Sequence, residues 1–384
     1  MFLMVIRPVV PMIHQAGREE GPACPDRAPP GPSGKVDYAH MRSYTIRTDL
    51  TRCDADGFAL PLGVEASTLP CPSQGYTLEY TPSEDDQAED AYSFHVVVSH
   101  ELVRAVLHSA FSLLPEEVFP VIEVGSRDAY RSIDVFATPD VVNKRDFLEI
   151  WAAYEPFLLE DATIGAGASG DDPPIEVFLD AWKGVSIHVP VSHRDRIETM
   201  LIGLGLREVP ETWPIDIERS VLSNSRVRDV LRIIDEHSPD LDELLLQMRE
   251  NWGLSLDVDR DENIDEGGRA LGYTLWHSII VVEPTDGSEH HGAYISIWST
   301  AISLGQVEEL IADTLAGMPE WTFQSIYSTD RVAFDERPEE LADLPPRRAA
   351  VAVHQVGLDI WGDSGEQPPP DSFESADPPQ NDDE

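Results

Sequence analysis

Two short segments of the chain share one alternating pattern of apolar and polar residues. Residues 93–100 read SFHVVVSH and residues 186–193 read SIHVPVSH, so six of eight positions agree. The period of two predicts a β-strand in each segment, and apolar residues at helical spacing follow both. We therefore predict an internal repeat of one strand and one helix, with Ser99 and Ser192 as the helix N-caps.

The residues between the two copies alternate between strand and helix periods. Strand patterns cover 119–125, 132–137, 163–168, 175–180 and 185–191. A helix pattern that begins after Asn143 separates the second strand from the third, and Lys183 with Gly184 forms the turn between the last two. The order β-α-β-β-α-β that opens this region is the order of a ferredoxin-like fold.

Beyond Pro214 the chain again mixes helix and strand patterns. The helix patterns are one through Val227, Leu231 and Ile234, one from Ser238 to Gly253, and one that starts at the capping pair Ser303 and Gln306 and stops at Gly317. Strand patterns cover 254–258, 273–282, 293–298 and 322–334. We predict an α+β fold of ferredoxin-like α/β-sandwich units with mostly antiparallel sheets, in which an internal duplication is left open.

Composition divides the chain into five segments. These are a disordered N-terminal segment (1–40), a strand-containing extension with an acidic linker (41–90), a first α+β unit (91–213), a second α+β unit (214–361) and a disordered tail (362–384). Both terminal segments are rich in proline and lack any period that could bury a face, which predicts disorder. Met41 precedes the first strand pattern, so it is an alternative start of the protein.

The charge balance limits the partners of the protein. The 384 residues include 27 Lys and Arg against 71 Asp and Glu, which gives a formal net charge of −44. Nucleic acid and anionic membranes both require a positive surface, so we predict neither as a partner. The carboxylates are spread along the chain, and this favours a salt-adapted or acid-biased proteome over a surface dedicated to one cationic partner.

Cysteine usage and hydropathy indicate the compartment. Cys24, Cys53 and Cys71 form no C-x-x-C pair, so no zinc or redox framework is predicted. An odd, sparse count is typical of a reducing cytoplasm, although a Cys53–Cys71 disulfide is left open. Prolines and an arginine interrupt the apolar N-terminus, and no run approaches the roughly 18 apolar residues of a membrane span. We predict a soluble cytoplasmic protein.

Residues 165–170 read GAGASG, a literal G-x-G-x-x-G after a strand pattern. A dinucleotide loop must open a helix whose N-terminal amides receive the pyrophosphate. Here the residues that follow are Asp-Asp-Pro-Pro, which carry negative charge and disfavour a helix. We predict a flexible loop and no cofactor.

An acidic segment resembles the first half of a calcium loop. Its candidate cation ligands are Asp257, Asp259, Asp261 and Asp265. Position six of an EF-hand needs glycine and position twelve needs glutamate, whereas this chain has Glu262 and Gly268 there. The remaining alternatives are a weak surface site for Ca²⁺ or Mg²⁺ and an acidic hairpin loop without a cation.

A second candidate metal site is carried by His277, Asp286, His290 and His291. Two imidazoles and a carboxylate would suit Zn²⁺ or Fe²⁺. Adjacent histidines in a strand point to opposite faces, so only one of the pair could face a shared ion. The alternative is an exposed polar turn at Asp286.

The repeated histidines, His95 and His188, are candidate ligand-binding residues. In a strand they point away from Phe94, Val96 and Val98, and thus toward a face that helices do not cover. A site between subunits or for a small molecule is one interpretation, and half-buried sheet residues without a function are the other.

No nucleophile elbow, phosphate-binding loop or catalytic triad pattern is present in the sequence. We predict a non-enzymatic binding or regulatory module with an unknown protein or small-molecule partner. The alternative is a metal-dependent hydrolase that uses His290 or His291 with nearby carboxylates.

Overall fold

The computed structural model describes residues 43–66, 71–83, 89–213, 225–235, 238–286, 291–344 and 350–362. They fall into two compact units, of which the first holds residues up to 125 and 133–257, and the second holds 126–132 and the residues from 258 onward. The predicted disordered segments 1–40 and 362–384 lie outside the described residues, apart from Gly362. No helix in the described ranges is long and apolar enough to cross a membrane.

The first unit contains thirteen strands and four α-helices within the described residues. The strands are β1 (Asp54–Ala55), β2 (Phe58–Ala59), β3 (Val64–Ala66), β4 (Gly75–Thr81), β5 (Ala91–Val97), β6 (Glu117–Gly125), β7 (Ile133–Ala137), β8 (Val142–Asn143), β9 (Ile164–Asp171), β10 (Pro174–Leu179), β11 (Val185–Pro190), β12 (Ser225–Val227) and β13 (Ser255–Leu256). The helices are α1 (His100–Phe111), α2 (Lys144–Leu158), α3 (Arg194–Gly203) and α4 (Leu241–Trp252).

Nine of these described strands form one antiparallel sheet, called here the large sheet. Its order is β13-β7-β6-β9-β10-β11-β5-β4, with β8 paired to β6. The predicted order β-α-β-β-α-β is present along the chain as β5-α1-β6-β7-α2-β9, with the additional two-residue strand β8 between β7 and α2. In the sheet the hairpin β10–β11 lies between β9 and β5, so the first and fourth strands of that set are not neighbours. The fold is α+β with mostly antiparallel pairing.

The two repeated segments are antiparallel neighbours in the large sheet. Ser93 lies opposite His188 and His95 lies opposite Ser186, because β5 pairs with β11. The hairpins β4–β5 and β10–β11 thus meet at their repeated strands, and each is followed by a helix. This arrangement is compatible with a duplication, which stays a prediction.

The predicted helix starts are only partly confirmed. Helix α1 follows Ser99, but the Ser99 hydroxyl accepts from the backbone N–H of Ala59 (3.0 Å) and makes no capping bond. In the second copy a 3₁₀ turn precedes α3, which starts at Arg194. The cap at Ser192 was wrong because its N–H (2.6 Å) and its hydroxyl (3.0 Å) donate to the Glu89 carboxylate.

The helix predicted through Val227, Leu231 and Ile234 is wrong. Residues 225–227 form β12, and Leu231 makes an isolated β-bridge with Ile46. The backbone N–H of Arg47 donates to the carbonyl of Val230, so pairing with a distant segment replaces helical hydrogen bonds. The buried side chains of Val230 and Leu231 belong to the core of the first unit.

Helix α4 has strong local end signals and also packs in the first unit. Asp240 and Glu243 form a capping box, two positions after the predicted start at Ser238, and Gly253 ends the helix in the left-handed conformation (φ 67°). Trp252 stacks on Phe147 of α2, with ring centroids 5.7 Å apart. Because α4 belongs to this core, the division near residue 257 differs from the predicted boundary at 213/214.

The N-terminal extension contributes the short hairpin β1–β2 to the first unit. Phe58, Leu60 and Val64 pack with Val97 and Ala162 in a small cluster of buried apolar side chains. The disulfide between Cys53 and Cys71 that the sequence left open is not formed.

The second unit contains a four-stranded antiparallel sheet within the described residues, called here the small sheet. Its strands are β14 (Thr274–Pro284), β15 (His291–Ala301), β16 (Trp321–Val332) and β17 (Ala352–Gly362), in the order β16-β14-β15-β17. Helix α5 (Leu304–Ala316) begins at Ser303, whose side chain accepts from the N–H of Gln306, so the predicted cap is confirmed. Val307 and Ile311 of α5 pack on Ile295 and Ile297 of β15 in the core of the unit.

Candidate functional site: the open face of the large sheet

The two faces of the large sheet differ in chemistry. One face carries Phe94, Val96, Ile187 and Val189, all buried in the core under α1 and α2. The opposite face, called here the open face, carries Ser93, His95, Glu123, Glu176, Phe178, Ser186 and His188, and ends at Asp180 just after β10. The predicted alternation of the repeated histidines with Phe94 and Val96 is therefore present in the structure.

One of the two imidazoles of the open face is hydrogen-bonded across the repeated strands. The hydroxyl of Ser93 and Nδ1 of His188 share a hydrogen bond of 2.8 Å across the β5–β11 pair. Burial lowers the pKa of His188, which keeps this imidazole neutral at neutral pH. Nδ1 of His95 is buried and has no hydrogen-bond partner among the described residues.

Three carboxylates lie on the same face, on neighbouring parts of the sheet. Burial raises the pKa of Glu176 to about 7, and repulsion from Glu123 adds to the shift. Burial, followed by repulsion from Asp180, also raises the pKa of Glu123. No hydrogen bond or ion pair from the described residues reaches the carboxylate of Glu123 or Glu176.

Asp180 is the most buried of the three carboxylates. Burial raises its pKa, while His95, the N–H of Gly184 (2.9 Å) and Lys183 act in the opposite direction. A Cβ atom on Gly184 would lie 2.6 Å from Oδ2 of Asp180 and 2.9 Å from Cε1 of His95. Glycine at this position therefore lets the carboxylate and the imidazole approach each other.

Lys183 completes the turn at the end of the open face. Its Nζ is buried and donates to the carbonyls of Ile164 (3.0 Å) and Asp180 (3.3 Å). Burial lowers the pKa of Lys183 to about 8, although the negative charges of Asp161 and Asp180 act to raise it. The ammonium is occupied by these carbonyls, so its role is to hold the turn.

The glycine motif at 165–170 lies in β9, so the strand predicted over 163–168 is confirmed and the predicted flexible loop is wrong. Gly165 and Gly167 lie in β9, and the ring of Phe178 from β10 packs on both. A Cβ atom would lie 2.6 Å from Cζ of Phe178 at Gly165 and 3.0 Å from Cδ2 at Gly167. The motif thus provides a flat floor for one aromatic ring, between the strands that carry Glu123 and Glu176.

No family model, curated protein or solved structure matches this chain. The functional interpretation therefore depends on the chemistry of the open face itself.

The sequence pattern around Glu123 and Glu176 predicts that both carboxylates lie on a half-buried face. Glu123 lies between Ile122 and Val124, and Glu176 lies between Ile175 and Val177, so each charge interrupts an apolar strand. A single acidic residue in an otherwise apolar strand predicts a carboxylate on a half-buried face. The sheet order places β6 and β10 on either side of β9. The periodicity of a single strand does not predict this order.

The structure separates His277 from Asp286, two of the candidate metal residues of the second unit. His277 stacks on Trp298, with centroids 4.1 Å apart, and its Nε2 bonds to the Ser296 hydroxyl (2.8 Å). Burial lowers the pKa of His277 to about 4. Asp286 is exposed beyond the end of β14, and His277 lies seven residues before Pro284 on that strand, roughly 24 Å away along it.

His291 is the first residue of β15, and His290 lies outside the described residues. In the described part of the chain, no three His, Cys, Asp or Glu side chains are grouped to hold a metal ion. The hydrolase centred on His290 and His291 stays a prediction, and the metal content of the purified protein tests it.

The acidic segment 257–265 uses its carboxylates within its own turns. Asp259 accepts from the N–H groups of Asp261 (2.8 Å) and Glu262 (3.1 Å). Asp265 accepts from the N–H (2.9 Å) and Nε (3.0 Å) of Arg269. Asp257 is exposed and belongs to the first unit. The geometry is that of the acidic hairpin loop, which closes at Gly268 with φ 76°.

Replacing Glu176 by glutamine is expected to stabilise the protein at pH 8 and to leave it unchanged at pH 4. The Glu176 pKa is about 7 in the folded chain against an ordinary value of 4.5. Between those two values the unfolded chain has lost a proton that the folded chain keeps, so the free energy of unfolding falls as the pH rises through this window. We expect a gain of about 1–2 kcal/mol at pH 8 in urea unfolding, allowing for the partial exposure of Glu176.

Glu79→Gln is the matched control, because Glu79 lies on the same face but is exposed on the edge strand β4. An equal gain in both variants at pH 8 would show that the lower net charge, and not the burial of Glu176, is responsible.

Proposed function

We propose that the protein is a binding module whose open face receives an organic cation. The observation that carries this proposal is the pair Glu123 and Glu176, two half-buried carboxylates without a partner among the described residues. Removing a carboxylate from water without a compensating charge is unfavourable, and the raised pKa values express that cost. A bound cation would supply the missing charge and restore ionisation.

The floor of the open face also suits a cation. The ring of Phe178 lies between the strands of the two glutamates, and a cation over an aromatic ring gains about 0.5–2 kcal/mol. The lowered pKa of His188 keeps its imidazole neutral, so it would not repel a positive ligand. The buried Nδ1 of His95 is a further polar atom that a ligand could engage.

The spacing favours an organic cation over a bare metal ion. Glu123 is on β6 and Glu176 is on β10, with β9 between them. Neighbouring strands lie about 4.8 Å apart, and the β9 partners of the two glutamates, Gly165 and Ser169, are four residues apart, so the backbones that carry the two carboxylates are separated by roughly 16 Å. A guanidinium or ammonium group with an organic body spans that distance.

We also propose a cytoplasmic location, because the sequence has few cysteines.

Calorimetric titration of the full chain with arginine amide tests the proposal. At about pH 8 and about 0.15 M NaCl we expect Glu176→Gln to weaken binding by about tenfold, and Glu79→Gln by less than about twofold. Both variants lose one negative charge, so the difference isolates the site from general attraction to an acidic protein.

The same titration has a pH dependence. Because the pKa of Glu176 is about 7, binding is expected to be about tenfold weaker at pH 6, where this carboxyl is mostly protonated, than at pH 8. Absence of heat at both pH values, or equal losses in Glu176→Gln and Glu79→Gln, would contradict the proposal.

A further inference from the structure

The small sheet ends in a long strand with an open edge. Strand β17 pairs with β15 on one side, and no strand of the described chain pairs with its other side. Residues 352–362 contain no lysine, arginine or proline, the residue types that usually prevent an edge strand from pairing with another chain. Within the described residues, this side of β17 is therefore an edge of the small sheet to which a strand can be added.

An apolar stripe accompanies this edge. Three apolar residues of β17 point to the face of the small sheet on which α5 packs. They lie opposite core residues of β15: Val356 opposite Ile297, Leu358 opposite Ile295 and Ile360 opposite Ala293. Their exposed fractions are 42%, 42% and 49%, because the helix does not extend over β17. The core of the second unit thus continues into an uncovered row of three side chains.

We propose that a second copy of this chain covers the edge by adding its own β17 antiparallel to the first. The strand is self-complementary about Leu358. A two-fold axis at that residue places Val356 opposite Ile360 of the second copy and Leu358 opposite its counterpart, so all three apolar side chains pair on one face. On the other face Asp359 lies opposite Gly357, which leaves room for the carboxylate.

The low charge of this edge permits the approach of a second copy. Two chains of net charge −44 repel each other, so they can approach only where few carboxylates lie. Asp359 is the one carboxylate of residues 352–362. A cationic partner would find little to bind here, whereas a second β17 brings only its own Asp359, which lies opposite Gly357.

Analytical ultracentrifugation of the full chain tests the dimer. At about 0.15 M NaCl we expect a dimer at about 100 µM that dissociates toward about 1 µM, more readily at lower salt. Leu358→Lys is expected to be monomeric throughout. Phe323→Lys is the matched control and should remain dimeric, since Phe323 is equally exposed (46%) but lies on β16, at the opposite edge of the small sheet.

A wild-type chain that stays monomeric at about 100 µM, or a Leu358→Lys chain that stays dimeric, overturns the proposal. If Phe323→Lys alone abolishes association, the two edges pair head to tail and the isologous dimer is wrong. Circular dichroism of each variant separates loss of the dimer from loss of the fold.

A cross-linking experiment tests the register without a charged substitution. In a chain with its three cysteines replaced by serine, Leu358→Cys should form a disulfide between copies under oxidised glutathione, because opposite Cα atoms lie about 4.5–5.5 Å apart. Val356→Cys should not, because its counterpart lies four residues away, roughly 13 Å along the strand. Equal cross-linking of both variants would overturn the two-fold axis at Leu358.

Discussion

Replacing Asp128 by alanine is expected to destabilise the second unit by about 3–5 kcal/mol. Both residues of the pair Asp128–Arg331 are buried, and the carboxylate accepts from Nε (2.8 Å) and from the backbone N–H (2.8 Å) of Arg331. It also accepts from the N–H of Tyr130 (2.9 Å). The variant would leave the Arg331 guanidinium buried without its counter-charge, and this desolvation cost accounts for the large effect.

Further hydrogen bonds hold the Arg331 guanidinium in its buried position. Its Nη1 donates to Oδ1 of Asn263 (2.9 Å) and to the carbonyl of Ile264 (2.7 Å), and its guanidinium lies 5.7 Å from the ring of Trp276. The network fastens segment 126–132 to strand β16, within the second unit. Removing its central carboxylate should therefore loosen that segment together with the small sheet.

Hydrogen exchange of the β14 and β16 amides, together with urea unfolding, measures the effect. Asp313→Ala is the control, because Asp313 is an exposed carboxylate on α5 in the same unit, and it should change stability by less than about 0.5 kcal/mol. A loss below about 1 kcal/mol in Asp128→Ala would mean that water reaches Arg331 and that the pair is not a structural requirement.

Gly167→Ala is expected to destabilise the first unit by about 2–3 kcal/mol. A Cβ atom there would lie 2.2 Å from the carbonyl oxygen of Val177 and 2.7 Å from Cα of Phe178. Both are backbone atoms of the neighbouring strand β10, which cannot move aside without breaking its ladder. The added methyl group would also displace the ring of Phe178, so we expect weaker binding of arginine amide in the same variant.

Gly203→Ala provides the opposite case in the same unit. Gly203 is the last residue of α3, and a Cβ atom on it would meet nothing within 4 Å. Alanine there should stabilise the protein by about 0.5–1 kcal/mol, since it restricts the unfolded chain without a clash. Equal melting temperatures of Gly167→Ala and the wild type would show that β9 and β10 are not packed as closely as the structure has them.

Much of the local structure follows from the sequence alone. The helix caps at Asn143 and Ser303, the end of α4 at Gly253 and the turn at Lys183 and Gly184 are confirmed. So is the mixture of helices with mostly antiparallel strands. These features depend on contacts within a few residues, namely a side chain that caps a nearby N–H group or a backbone angle that glycine permits.

Part of the open face was also accessible from the sequence. The period of two in the repeated segments is enough to point His95 and His188 away from Phe94 and Val96. It does not show that Ser93 lies opposite His188, because register is a property of two strands distant along the chain. Their role in binding stays a prediction.

Local pattern thus determined most of the strands and helices, and which side chains of one strand share a face. Tertiary structure alone decided the rest: that residues 225–227 extend into β12 where their spacing suits a helix, and that the glycines of β9 lie under the ring of Phe178. It also brought Glu123 and Glu176 to one face and joined Asp128 to Arg331, 203 positions apart in the sequence. The physical reason is that these arrangements are stabilised by contacts between strands and segments whose pairing no short stretch of residues encodes.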